Sequence, residues 1–128
     1  MTQSPPSALE RGREVLKTLN PGLEPIMMEK YDDLVPGFAE TLIENAYGRH
    51  YARPGLDLKT RQIATVAALT ALGGQTAPQL KANIQHARNA GASQIELIEV
   101  IYQMAIYGGM PAAINGLNAA REVFAAEG

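Results

Sequence analysis

From Ser93 to Asn118 the chain reads SQIELIEVIYQMAIYGGMPAAINGLN, and few arrangements other than a helix pair satisfy it. Apolar residues at Ile95, Ile98, Ile101, Met104 and Ala105, widened by Leu97, Val100 and Ile106, recur at helical spacing. Gly108-Gly109 stops that helix. Pro111 starts the next, where a missing N–H costs nothing. Tyr107 stands at the break, beside two residues without side chains. It either walls a small-molecule pocket or packs a tight helix–helix turn.

Helix-start signals recur along the chain. Ser7 with Glu10, Thr76 with Gln79, and Ser93 with Glu96 each form the S/T-x-x-E/Q capping box. Asp57 is placed to cap a further helix, at the end where the helix dipole favours an anion. Stops fall at Asn20-Pro21-Gly22, Pro36-Gly37, Arg53-Pro54-Gly55, Gly73-Gly74 and Gly91. These signals predict helices to about Leu19, then roughly over 23–34, 38–51, 58–72 and 77–90, then the two of the opening segment. In the third, Phe38, Leu42, Ile43, Ala46 and Tyr47 share a face, with His50 on the side of Tyr47. In the last, Ile114, Leu117, the Arg121 stem and Phe124 fall near one side. The fourth is apolar almost all round after Ile63, which suits the centre of the domain or a subunit contact. No segment alternates with the period of a strand. The expectation is an all-α domain of about six or seven helices.

Composition narrows the class of function. A chain of 128 residues suits one domain. Apolar residues make up 46%, much of it alanine, while aromatics are 5% and tryptophan is absent. Such a chain packs helices closely but lacks bulk, so its apolar surface is expected to be completed by other copies. The net charge of −2 comes with no clustered basic face, which argues against nucleic acid as a partner. No apolar run reaches membrane-spanning length and no secretory leader is visible, so a soluble cytoplasmic protein is expected. Residues 1–6, with Pro5 and Pro6, are expected to be ragged. There is no cysteine, which removes disulfides, thiolate metal sites and any thiol nucleophile from this chain.

The chemistry-bearing residues are scattered. No phosphate loop, dinucleotide fingerprint or nucleophile elbow occurs. With two histidines and no His-x-x-x-His pair, no metal site is expected. Asn83 and His86 lie three residues apart on one helix and project to nearly the same side. As a partly buried pair they can hold a ligand carbonyl or pass a proton. Otherwise His86 faces solvent among Gln85 and Arg88. His50, with Tyr47, Tyr51 and Arg53, either binds a carboxylate or forms a helix-end or interface cluster. Arg61, in the first turn of its helix, is a carboxylate anchor or a surface charge.

Three segments in order, YARPGLDLKTRQIATVAALTALGG, APQLKANIQHARNAGAS and IELIEVIYQMAIYGGMPAAINGLNAAREVF, resemble the carboxymuconolactone decarboxylase family over roughly residues 36–125. Residues 1–35 then form an N-terminal helical extension of a single domain. The resemblance implies the all-α fold shared with alkylhydroperoxidase, and a homo-oligomer, trimeric or hexameric. Peroxidase members carry a Cys-x-x-Cys pair where this chain has Thr76-Ala77-Pro78-Gln79, so that chemistry is not available to it. Cysteine-free members resemble the decarboxylase, which releases carbon dioxide from 4-carboxymuconolactone in protocatechuate breakdown without a cofactor. That branch usually has a histidine where this chain has Asn83, and His86 lies one turn later. The resemblance implies a small carboxylate or lactone as partner. Arg53, Arg61 and His50 would bind it, Asn83 would donate to the enolate oxygen, and His86, His50 or Tyr107 would return the proton.

Overall fold

A computed structural model describes residues 4–128, so the expectation of a ragged start falls in part on residues 1–3, outside the described residues. Ser4–Pro6 carry no regular structure and are exposed. The described residues are helical, with no strand among them, and divide into two compact units, one up to Leu56 and one of Asp57–Gly128.

The first unit holds α1 (Ala8–Leu19), α2 (Leu23–Tyr31) and α3 (Phe38–Leu42), the last continuing as a π-helical segment (Ile43–Tyr51). The Ser7 capping box is formed in both directions, at 3.1 Å each. The second helix ends at Tyr31, three residues short of the expected 34. There the chain turns, and the Asp32 carboxylate accepts the Ala39 N–H at 3.0 Å. Gly37, with φ of 80°, supplies the left-handed residue before α3. Arg13 and Glu24 join α1 and α2 through a two-pronged pair at 3.0 and 2.9 Å.

The π-helical stretch explains a difference from the spacing argument. Widened i→i+5 turns bring the fourth residue, rather than the third, over a given position. Tyr51 therefore stacks on Tyr47, with ring centroids 5.3 Å apart, and His50 is exposed. Helix α1 lies close against this stretch because both carry glycine at the contact. A methyl on Gly12 would sit 2.5 Å from the Ile43 carbonyl oxygen, and one on Gly48 would run into the Ala8 carbonyl.

The second unit is built from α4 (Leu58–Leu72), α5 (Ala77–Asn89), α6 (Gln94–Gly108) and α7 (Met110–Ala126). Its core joins Val66, Leu80, Ile84, Ala87, Leu97, Ile101, Ala119, Ala120 and Val123. The Asp57 cap is present, accepting the Thr60 N–H at 2.7 Å, and so is the Ser93–Glu96 box. Helices α4 and α6 run side by side in the same direction. Lys59 pairs with Glu96 at 3.0 Å near their starts, and a methyl on Gly108 would lie 2.8 Å from the Ala71 Cα near their ends. Arg88 grips Glu127, tying the end of α5 to the end of α7.

Three expectations change here. The Thr76–Gln79 box does not form, because residues Gly74–Thr76 make a 3₁₀ turn. The Thr76 hydroxyl instead donates to the carbonyls of Leu69 at 2.6 Å and Gly73 at 2.9 Å, near the end of α4. Pro78 in the first turn of α5 removes one of the N–H groups a cap would serve. Second, α6 turns a different stripe inward. Leu97 and Ile101 are buried, whereas Ile95 and Ile106 are 72% and 78% exposed, and Ile98 and Tyr102 are exposed too. The helix is apolar on too many sides for spacing to select one. Third, α7 buries its small side, Ala112, Ala113, Gly116, Ala119, Ala120 and Val123, while Leu117 and Phe124 pack at the margin and Ile114 is exposed. Gly116 is why this works: a methyl there would stand 2.7 Å from Ile101 Cγ2 and 2.8 Å from Thr70 Cγ2.

Candidate functional site

His86 is 1% exposed, so it is not the solvent-facing histidine of the alternative reading. It sits in the last turn of α5, next to the core residue Ala87. Burial disfavours its charged form and pushes its pKa down to about 4. At neutral pH the ring is the neutral imidazole, one nitrogen donating and the other accepting. Asn83, one turn earlier, is half-buried. Its Nδ2 donates back to the Gln79 carbonyl at 2.8 Å, which orients the amide and uses one of its two N–H bonds.

The other expected residues are more open. Tyr107 is 74% exposed, in the last turn of α6 beside Gly108. Arg61 is half-buried in the first turn of α4. His50 and Arg53 belong to the first unit, at the end of the π-helical stretch and just after it, and both are exposed. Tyr47, beside them in sequence, is buried, and its hydroxyl pKa is pushed up to about 12 by that burial.

The short connection Gly73–Thr76 folds α5 back along α4. Gln62 precedes the end of α4 by ten residues, and His86 follows the start of α5 by nine, so the two stand at one level of the pair. Tyr107 is near the other end, level with the last turn of α4, about 12 Å along the axis. Gln62 is fully buried, in a row with Val66 and Thr70 on the inner side of α4. Sequence reasoning passed over it. The available signal was a polar residue four before Val66, at the head of an otherwise apolar run.

A cleft of about 500 Å³ lies between α6 and α7, walled by Ile98, Leu117, Phe124 and Arg121. A smaller one, about 220 Å³, is lined by Lys81, Asn115, Asn118 and Glu122. Asn83, His86 and Tyr107 line neither. Among the described residues no three His, Asp or Glu side chains stand together as metal ligands. No described helix is long and apolar enough to cross a membrane.

Comparison with known proteins adds what geometry does not. An uncharacterised 15.0 kDa protein of Paracoccus denitrificans, from the nqo9-nqo10 intergenic region, is 38% identical over 93% of this chain and 89% of its own length. A 4-carboxymuconolactone decarboxylase of Acinetobacter baylyi is 33% identical over 76% of this chain and 71% of its own. A nitrosuccinic acid decarboxylase of Metarhizium robertsii is 31% identical over 61% of this chain and 53% of its own. Residues 36–122 match the profile of one family, beginning just before α3 and running to within four residues of the end of α7. With more than half its length matched, this chain belongs to the carboxymuconolactone decarboxylase family.

Proposed function

We propose that this protein is a cofactor-free lyase that removes carbon dioxide from a small carboxylated lactone, with 4-carboxymuconolactone as the first substrate to test. The observation that carries the reading is the buried, neutral His86 with the oriented amide of Asn83 one turn before it, in a chain two of whose relatives are named decarboxylases. Breaking the bond to the carboxylate leaves an electron pair, and a conjugated lactone carbonyl accepts it as an enolate. The chemistry asks the protein to anchor the acid, stabilise the enolate oxygen and return a proton. In this scheme Arg61, on the same unit as Asn83 and His86, anchors the carboxylate. Asn83 and His86 donate hydrogen bonds to the developing oxyanion. A histidine held neutral is a poor proton source at neutral pH, so in this scheme the returning proton comes from water.

The working form in this proposal is a cytoplasmic homo-oligomer, trimeric or hexameric. The exposed row Ile95, Ile98, Tyr102 and Ile106 on α6 is the apolar surface that supports it, since soluble chains seldom leave such rows bare. A second reading, the same scaffold acting on another small acid, is supported by the similarity to a protein named as a nitrosuccinic acid decarboxylase.

The test is carbon dioxide release from freshly made 4-carboxymuconolactone by the purified protein, with Asn83→His and His86→Ala alongside. Turnover by the natural sequence, lost in His86→Ala, supports the scheme. Turnover by Asn83→His alone assigns the natural chain to a different acid. Turnover that survives both Asn83→Ala and His86→Ala removes these residues from the reaction.

A further inference from the structure

Gln62 is 0% exposed, and neither its Nε2 nor its Oε1 has a hydrogen-bond partner among the described residues. Its row-mates do not share the problem. Val66 is apolar and belongs to the core, and the Thr70 hydroxyl donates to the Val66 carbonyl at 2.8 Å. A carboxamide buried with both ends unsatisfied is a destabilising choice, because it loses its bonds to water and regains none. Methionine or leucine would fill a similar volume without that cost. Buried polar groups of this kind call for an explanation, and a binding role is one.

We infer that Gln62 is a binding residue of the substrate site, and that it takes an uncharged oxygen group of the substrate, a lactone or ketone carbonyl or a hydroxyl. This inference rests on the lyase reading and sharpens it. Gln62 and His86 stand at one level of the α4–α5 pair, and both are buried polar side chains. A carbonyl oxygen accepts from Nε2, and a hydroxyl serves Nε2 and Oε1 together. An ionised carboxylate brought to the same place would meet apolar neighbours and pay a large desolvation cost. The carboxylate end therefore belongs with an arginine. In the reaction, the bond from carbon to the carboxylate breaks, carbon dioxide leaves, and the electron pair moves to the conjugated carbonyl oxygen. The Nε2–H of Gln62 donates to that oxygen as its charge grows. A proton originating from water then completes the carbon.

The experiment compares the wild-type protein with Gln62→Met and Gln62→Leu, measuring melting temperature and turnover on 4-carboxymuconolactone. The expected result is a melting temperature raised by roughly 3–5 °C, with kcat lowered about tenfold or more and KM changed less. Melting that falls in both variants, or failure of both to fold, assigns Gln62 to the fold and overturns the inference. Unchanged kcat in a stabilised variant overturns it as well. If the wild type gives no turnover, the lyase reading fails on this substrate, but melting still decides: a rise supports a polar group kept for function, and a fall refutes it.

Discussion

Lowering the pH should unfold this protein through His86, and the size of the effect follows from its burial. The ring is 1% exposed and its pKa is pushed from the ordinary 6.5 to about 4. In the unfolded chain the same ring takes up a proton near 6.5. Below that pH the unfolded state binds more protons than the folded one, so stability falls as pH falls. The loss begins near pH 6.5, grows by about 1.4 kcal/mol per pH unit and levels off near pH 4. Its total is on the order of 3 kcal/mol, a large part of the margin of an ordinary domain. With an unfolding entropy of roughly 2.1 cal/mol/K per residue, a chain this long shifts by about 4 °C for each kcal/mol. The assay is calorimetric melting at half-unit steps from pH 7.5 to 4.5, on wild type and His86→Gln. The capping carboxylates Asp57 and Glu96, their pKa values lowered by hydrogen bonds at the helix starts, contribute alike to both proteins, so the difference between the two slopes reports His86. Wild type should lose roughly 5 °C per unit below pH 6, and the variant should be markedly flatter. Parallel slopes would refute the reasoning, whatever the absolute melting temperatures.

Other outcomes follow from the packing. Gly108→Ala should destabilise by about 1–3 kcal/mol in denaturant titration, because the new methyl meets Ala71 backbone atoms at 2.8 and 2.9 Å, and backbone does not rotate aside. Gly116→Ala meets side-chain methyls of Ile101 and Thr70, so its penalty should be the smaller of the two. Ser93→Ala removes the acceptor for the Glu96 N–H and should cost about 1 kcal/mol, whereas Thr76→Ala should leave the start of α5 intact and loosen the end of α4, read by amide exchange at Gly73 and Thr76. Ile98→Lys with Ile106→Lys should reduce the particle mass seen by light scattering if the exposed row of α6 joins copies. An unchanged mass would remove that face from the assembly.

Where a local signal names a helix end, the sequence already carries the answer. Ser7, Asp57 and Ser93 cap as their spacing implies, because a cap is a contact between residues three apart and needs nothing distant. The fourth helix spans 58–72 for the same reason, held between Asp57 and Gly73. The residue family and the lack of a thiol are likewise properties of the string of letters. Thr76 shows the limit: its hydroxyl chooses the carbonyl of Leu69, seven residues back, over the amides ahead of it, and only the folded turn brings that acceptor within 2.6 Å. The π-helical turns of Ile43–Tyr51 and the inward stripe of α6 were also hidden. Both depend on what lies across the contact, glycine against carbonyl in one case and a choice among several apolar faces in the other. His86 had two readings in sequence, and the tertiary structure chose the buried one. Burial is set by the neighbouring helices, and with it the charge of the ring. Gln62 belongs wholly to the tertiary structure. Nothing in the run TRQIATVAAL marks its amide as unsatisfied, since a hydrogen bond that is missing can be counted only after every other helix has taken its place.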